Sequence, residues 1–144
     1  MTPVENPGCA EAPAGTMERM GTEAAVEPSI FTRIVAREIP AEIVYESDTV
    51  IAFRDIAPKA PVHLLVVPKT QAYANVGELA AGDAALLADV VAVAGRLASD
   101  PALMGDLPLG QFRMIFNTGE AAGQTVFHVH AHVMAGHLQE GSLA

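Results

Sequence analysis

Five histidines occur in this chain, and three of them fall at alternate positions within Thr125-Val126-Phe127-His128-Val129-His130-Ala131-His132. Successive side chains of a β-strand point to opposite faces. A strand here would therefore set His128, His130 and His132 in one row and turn Phe127, Val129, Ala131 and Val133 toward a core. Neutral imidazole, with an ordinary pKa of about 6.5, can attack an electrophile, pass a proton or ligate a metal. A lone alternate histidine on a strand is ordinarily a solvated polar residue, whereas three in succession imply something bound.

Spacing weighs against a single metal as that bound group. His-x-His on a strand is a common metal-binding element, but three alternate residues span about 13 Å, too far for all three to ligate one tetrahedral ion. Cys9 is the sole cysteine, which excludes an internal disulfide and a cysteine-based metal site and fits a reducing compartment. No metal or other cofactor is expected.

The elements that must position these residues fit one domain of 144 residues. The richest apolar run, Leu86 to Leu97, is interrupted by Asp89, Gly95 and Arg96 and falls short of a membrane span. A soluble, cytoplasmic protein with no membrane partner is predicted. A net charge of −9 argues against nucleic acid, whose backbone needs clustered Lys and Arg. It also repels small anions, so affinity for one must come from local groups.

Residues 1–28 hold four prolines, three glycines and five Glu against one Arg, a composition that predicts a disordered extension with no secretory signal. The domain should then occupy 29–144. Ser29 is a good N-cap for a helix over Ile30 to Arg37, ended by Pro40. Ile43–Glu46 and Val50–Phe53 read as a hairpin turning at Ser47-Asp48, and His63–Val67 as a buried strand. A polar loop from Lys69 leads to Asp83, which caps a long helix striped by Leu86, Leu87, Val90, Val91, Val93, Ala94 and Leu97. Asp100-Pro101 stops or restarts it. Phe112–Asn117 and Val126–Ala135 are the last two strands, joined by a turn over Thr118–Gly123. The pattern predicts an α+β domain with an antiparallel sheet.

The chain resembles the histidine triad (HIT) nucleotide-binding proteins, whose signature is three histidines alternating with apolar residues. His128-Val129-His130-Ala131-His132-Val133-Met134 matches it throughout. Further matches run over residues 29–137: Phe31-Thr32-Arg33-Ile34-Val35, Glu38-Ile39-Pro40-Ala41, Phe53-Arg54-Asp55-Ile56, Pro61-Val62-His63 and Gly123-Gln124-Thr125-Val126. The first motifs look most like the Hint branch, while Ala122-Gly123-Gln124-Thr125-Val126 also resembles the Fhit branch of dinucleoside polyphosphate hydrolases.

The resemblance implies a five-stranded antiparallel sheet with one long and one short helix, and a homodimer formed through the long helix and the Phe112–Asn117 strand. It implies a purine nucleoside phosphoramidate hydrolase or nucleotidyl transferase acting on an AMP-like purine nucleotide through a nucleotidyl-histidine intermediate. His130 would be the nucleophile, His132 would bond phosphoryl oxygens and assist the leaving group, and His128 and His63 would orient the central ring. Asp55 would accept from ribose hydroxyls, with Ile34, Phe53 and Ile56 as apolar walls for the base. Asn117 would contact the sugar-phosphate. Gly123, Gln124, Thr125 and Val126 would meet the phosphate, with Gly123 permitting close backbone approach and Gln124 and Thr125 supplying neutral donors.

Two departures stand out. The chain has no Trp and ends in His137-Leu138-Gln139-Glu140-Gly141-Ser142-Leu143-Ala144, where Hint relatives carry a Trp-containing tail. Ala131 is a small residue within the signature. Dinucleoside polyphosphate hydrolysis, a non-catalytic nucleotide sensor and a metal enzyme remain as alternatives.

Overall fold

The structure, a computed structural model, describes residues 27–140. The expected disordered extension therefore lies outside the described residues as far as residue 26.

Helix α1 (Ile30–Val35) starts where Ser29 adopts an extended conformation and its hydroxyl accepts from Thr32 N. That bond satisfies one of the N–H groups a first helical turn leaves unpaired. The helix ends before Arg37, which takes a left-handed φ of 65°. Strands β1 (Ile43–Glu46) and β2 (Val50–Arg54) form the expected hairpin, closed by Ser47 N donating to Val50 O at 2.8 Å and by Val50 N donating to Ser47 Oγ at 3.1 Å. Strand β3 (Val62–Pro68) follows.

The loop after Lys69 holds a helix that its composition concealed, α2 (Val76–Gly82). Asn75 and Glu78 specify it: Asn75 Oδ1 accepts from Glu78 N, and Glu78 Oε1 accepts in return from Ala74 N. Asp83 caps the long helix α3 (Ala84–Ala98), and Asp100-Pro101 restarts the chain as α4 (Pro101–Met104). Strand β4 (Arg113–Ile115) is shorter than its Phe112–Asn117 pattern, and a single 3-10 turn, Glu120–Ala122, precedes β5 (Ala131–Ala135). The sheet order is β1-β2-β3-β5-β4, antiparallel throughout, as the α+β reading required. Among the described residues no helix is long and apolar enough to cross a membrane.

Both sheet faces are used. Val50, Ala52, Leu64, Val66, Ala131 and Val133 pack with Leu86, Val90, Val93, Ala94 and Leu97 of α3. Each buried Val or Leu among them is worth roughly 1.5–3 kcal/mol, so this layer holds the sheet rigid. On the opposite face Ile51, Phe53, Leu65 and Val67 pack with Phe31 and Ile34. Helix α1 is only two turns long, and beyond it a cleft reaches His63, Leu65 and His132 of β3 and β5. His63 and His132 stand there as diagonal neighbours in the register Leu65↔His132, His63↔Met134.

The last strand corrects one expectation. It starts at Ala131, not Val126: the ladder with β3 ends at the pair Val66↔Ala131, although β3 itself continues to Pro68. Residues before Ala131 leave the sheet: Val129 N donates to Tyr73 O, and the His128 ring takes Pro68 O. Val129 and Ala131 are buried as predicted, but Phe127 is 56% exposed, and His128 is fully buried. The three histidines therefore do not form one surface row.

Candidate active site

Backbone carbonyls decide what the nitrogens of His128 and His130 can do. His128 Nε2 lies 2.7 Å from Pro68 O, and a carbonyl can only accept, so this nitrogen carries the proton and Nδ1 is left as acceptor. Ser29 Oγ meets that Nδ1 at 2.5 Å. His130 Nδ1 lies 2.8 Å from His128 O and is likewise the protonated nitrogen. Its Nε2 consequently holds a bare lone pair. Phe31 packs edge-on against the His130 ring at 4.9 Å and the His128 ring at 5.6 Å, fixing both planes.

His132 is held in the opposite sense. Lys59 N donates to His63 Nδ1 at 2.9 Å, which places the His63 proton on Nε2. His63 Nε2 lies 3.0 Å from His132 Nδ1 and donates to it, so His132 keeps its own proton on Nε2. The His130 and His132 rings are 5.2 Å apart in an edge-to-face arrangement. One imidazole thus offers a lone pair and its neighbour an N–H. His63 orients His132 rather than the central His130, a refinement of its expected part.

Burial keeps these rings neutral. It is the largest cause of the lowered pKa of His63, His128, His130 and His132. His132 is lowered to about 4, helped by His130 and His63 and opposed by Asp55.

Asp55 Oδ1 accepts from Ala57 N, which leaves Oδ2 3.3 Å from His63 Nε2 and 4.0 Å from His132 Nδ1. Asp55, His63 and His132 are the one trio among the described residues whose donor atoms are close enough to share a metal ion, all within 4.8 Å. Tetrahedral zinc at 2.0–2.1 Å from each ligand separates its ligand atoms by roughly 3.3 Å, so the spacing is suitable. The proton positions are not. A metal at His63 Nε2 would drive the ring proton to Nδ1, directly against Lys59 N–H.

Two adjoining cavities meet at this cluster. A cleft of about 460 Å³ is lined by His63, His130 and His132 together with Asn117, Gly123, Thr125 and Val126. A second cavity of about 600 Å³ is walled by Ile34, Phe53, Ile39 and Leu65, and the two share Ile30, Phe31, Asp55, Ile56 and Leu65. Volumes of this order suit a small ligand.

Most residues singled out by sequence are gathered here, with three differences. His128 lies beneath the cleft and is not among its lining residues. Ile56 is 99% exposed and stands at the mouth instead of forming a wall. Gln124 is buried and its amide is consumed internally: Oε1 accepts from Gly119 N, and Nε2 donates to Ala74 O and Val126 O. It shapes the loop and has no donor left for an anion. The backbone N–H groups of Gly123 and Gln124 are also spent on the turn. Gly123, at φ 94°, is required by the turn's left-handed backbone. Thr125 is exposed on the cleft wall, and its hydroxyl has no protein partner among the described residues.

Sequence reasoning missed Ser29 as a partner of His128, Gln71 behind it, and Lys59. Ser29 was visible only as a helix cap. Lys59, on the cleft wall, was recognisable only as one of few cations in an acidic chain.

Comparison with known proteins agrees with this geometry. Residues 36–139 match the HIT domain model. An uncharacterized HIT-like protein of Synechococcus elongatus is 46% identical over 110 residues, covering 76% of this chain and 91% of that protein. The purine nucleoside phosphoramidase of Escherichia coli is 38% identical over 110 residues, covering 76% of this chain and 88% of that enzyme. A HIT family hydrolase from Clostridium thermocellum superposes with a TM-score of 0.71 at 40% identity, covering 83% of this chain and 98% of that one. With its five-stranded antiparallel sheet and its histidine signature, the chain belongs to the HIT family.

Proposed function

We propose that the protein is a purine nucleoside phosphoramidate hydrolase or nucleotidyl transferase that works through a nucleotide covalently held on His130. The observation that carries this reading is the pairing of the bare Nε2 of His130 with the N–H of His132 in one cleft. A nucleophile whose proton is fixed by a backbone carbonyl, and a proton donor whose own proton is fixed by His63, are what a two-step displacement needs. The relative in Escherichia coli, named a purine nucleoside phosphoramidase, supports the same substrate class.

In the first step His130 Nε2 bonds to the α-phosphorus as the phosphorus–nitrogen bond to the amine breaks. The departing nitrogen takes the Nε2 proton of His132, which solvent in the open cleft replaces, so His132 is neutral before and after the step. In the second step water attacks phosphorus, the bond to His130 breaks, and the proton of the attacking water leaves to solvent by the same route. The positive charge on substituted His130 is held by His128 O. Asp55 receives the ribose hydroxyls, Ile34 and Phe53 flank the base, and Asn117 and Thr125 meet sugar and phosphate.

Lys59 favours a second reading, hydrolysis of dinucleoside polyphosphates, because it adds a cation to the same cleft where a longer phosphate chain would leave. Parallel assays with an adenosine phosphoramidate and a diadenosine polyphosphate decide between them. The first reading expects a kcat/KM at least tenfold higher for the phosphoramidate. The reverse order selects the second, and AMP binding without turnover of either selects a sensor.

A further inference from the structure

Behind the triad lies a closed set of polar groups that the proposed chemistry does not touch. Ser29 Oγ meets His128 Nδ1 at 2.5 Å and also accepts from Thr32 N at 3.0 Å. Thr32 Oγ1 donates to Gln71 Oε1 at 2.6 Å, and the same oxygen accepts from Ser29 N at 2.9 Å. Gln71 Nε2 donates to Glu27 O at 2.9 Å. Two segments far apart in sequence, 27–32 and 68–71, are thereby tied to one imidazole, which is fully buried and has Pro68 O on its other nitrogen.

Donor arithmetic gives the set a direction. Gln71 Oε1 can only accept, so Thr32 spends its hydroxyl proton there. His128 Nδ1 is an acceptor because Nε2 is the donor to Pro68. Ser29 Oγ has two acceptors in reach, Thr32 Oγ1 at 3.2 Å and His128 Nδ1 at 2.5 Å, and its proton goes to the nearer, His128. Without it a buried imidazole nitrogen would be unsatisfied, which favours a turned ring or a displaced main chain. That main chain carries His128 O, the acceptor for His130.

We infer that Ser29, held by Thr32 and Gln71, is a positioning residue that locks the His128 ring and, through His128 O, aims the nucleophilic nitrogen of His130. It also joins the triad to the base pocket. Ser29 caps α1, whose Phe31 and Ile34 line that pocket and whose Phe31 packs on both His128 and His130. The inference rests on the assignment of His130 as nucleophile, but its first readout does not require turnover.

The test compares the full chain with Ser29→Ala, Ser29→Gly and Ser29→Thr, using imidazole nitrogen NMR shifts, AMP affinity and kinetics with an adenosine phosphoramidate. Glycine is tolerated at an N-cap with only a small loss of helix stability, so Ser29→Gly removes the hydroxyl while sparing the fold. Asp83→Ala, which removes an equivalent cap from α3, is the control for a general loss of stability.

The wild type should show His128 protonated on Nε2 alone. Ser29→Ala and Ser29→Gly should shift the His128 nitrogens and lower kcat at least tenfold, with AMP affinity and KM within about threefold of wild type. Ser29→Thr should restore both readouts, and Asp83→Ala should leave them unchanged. Wild-type His128 that is cationic or protonated on Nδ1 overturns the inference, as does an unmoved kcat in Ser29→Gly. A fall in kcat with unaltered His128 shifts, or equally large in Asp83→Ala, also overturns it by reducing Ser29 to a helix cap. A wild type with the stated His128 shifts but no turnover of any nucleotide refutes the assigned reaction while leaving the Ser29–His128 bond established.

Discussion

His130 Nδ1 sits 2.8 Å from the backbone oxygen of His128, two residues earlier in the chain, and this one bond determines which nitrogen of the central imidazole is nucleophilic. A carbonyl cannot donate, so Nδ1 keeps the proton and Nε2 keeps the lone pair. The alternate spacing of the motif makes the bond possible. The departure of residues 126–130 from the sheet ladder makes it available, because in a ladder His128 O would be engaged by a neighbouring strand.

The neutral state of the histidines should be visible in acid. All four have a pKa held below the ordinary value, chiefly by burial, with His132 at about 4. The unfolded chain binds their protons near pH 6.5, so it takes up more protons than the folded one between pH 6.5 and 4. Stability is full above about pH 6.5 and is lost as pH falls through that window, by about 3 kcal/mol at pH 4 from His132 alone. Urea unfolding at pH 7.5, 5.5 and 4.5 measures this, and equal midpoints at the three values would refute it.

His63→Ala should lower kcat about 10²-fold for a phosphoramidate with a basic amine, since His132 loses the donor that keeps its own proton on Nε2. With an acidic leaving group that needs no proton, the loss should shrink to a few-fold. Comparing two such substrates checks this. An equal loss on both would mean that His63 does not act through proton transfer.

Much of this arrangement was legible in the sequence, for identifiable reasons. The short apolar runs Val50–Phe53 and His63–Val67, buried on both faces of the sheet, and the apolar stripe from Leu86 to Leu97 are consequences of burial, and they located the sheet and α3 correctly. What failed was anything set by a single backbone group. The ladder opposite the triad ends at Val66↔Ala131, and the His128 ring turns to Pro68 O, so Phe127 and His128 exchanged the environments that alternation assigned them. Gln124 looked like an anion donor because its type permits it, yet contacts with Gly119, Ala74 and Val126 occupy its amide. Helix α2 was missed because Val76-Gly77-Glu78 is a weak helical pattern whose capping pair, Asn75 and Glu78, signals only in retrospect.

Chelation should not slow the reaction. An imidazole that is nucleophilic as the free base needs no metal to generate it, and the Lys59 N–H opposes the tautomer that Asp55, His63 and His132 would need to ligate one. Rates with and without a strong chelator should agree within twofold. Loss on chelation with recovery on adding zinc would favour that trio as a metal centre.

Two copies should pair through α3 and the edge strand β4. The position of β4 at the end of the sheet order and the exposed apolar side chains Val91, Leu109 and Phe112 supply the surface for an extended contact. Light scattering at micromolar concentration should give twice the 15.0 kDa chain mass, and Val91→Glu should shift it toward the monomer. A monomer mass for the wild type would contradict the dimer.

The most direct measurement is to quench the enzyme during turnover of an adenosine phosphoramidate and map the covalent adduct by peptide mass spectrometry. The account predicts a nucleoside monophosphate on His130, its loss in His130→Ala, and a fall in that variant's rate of at least about 10⁴-fold with AMP binding retained. An adduct on His128 or His132, or near-normal turnover by His130→Ala, would contradict it.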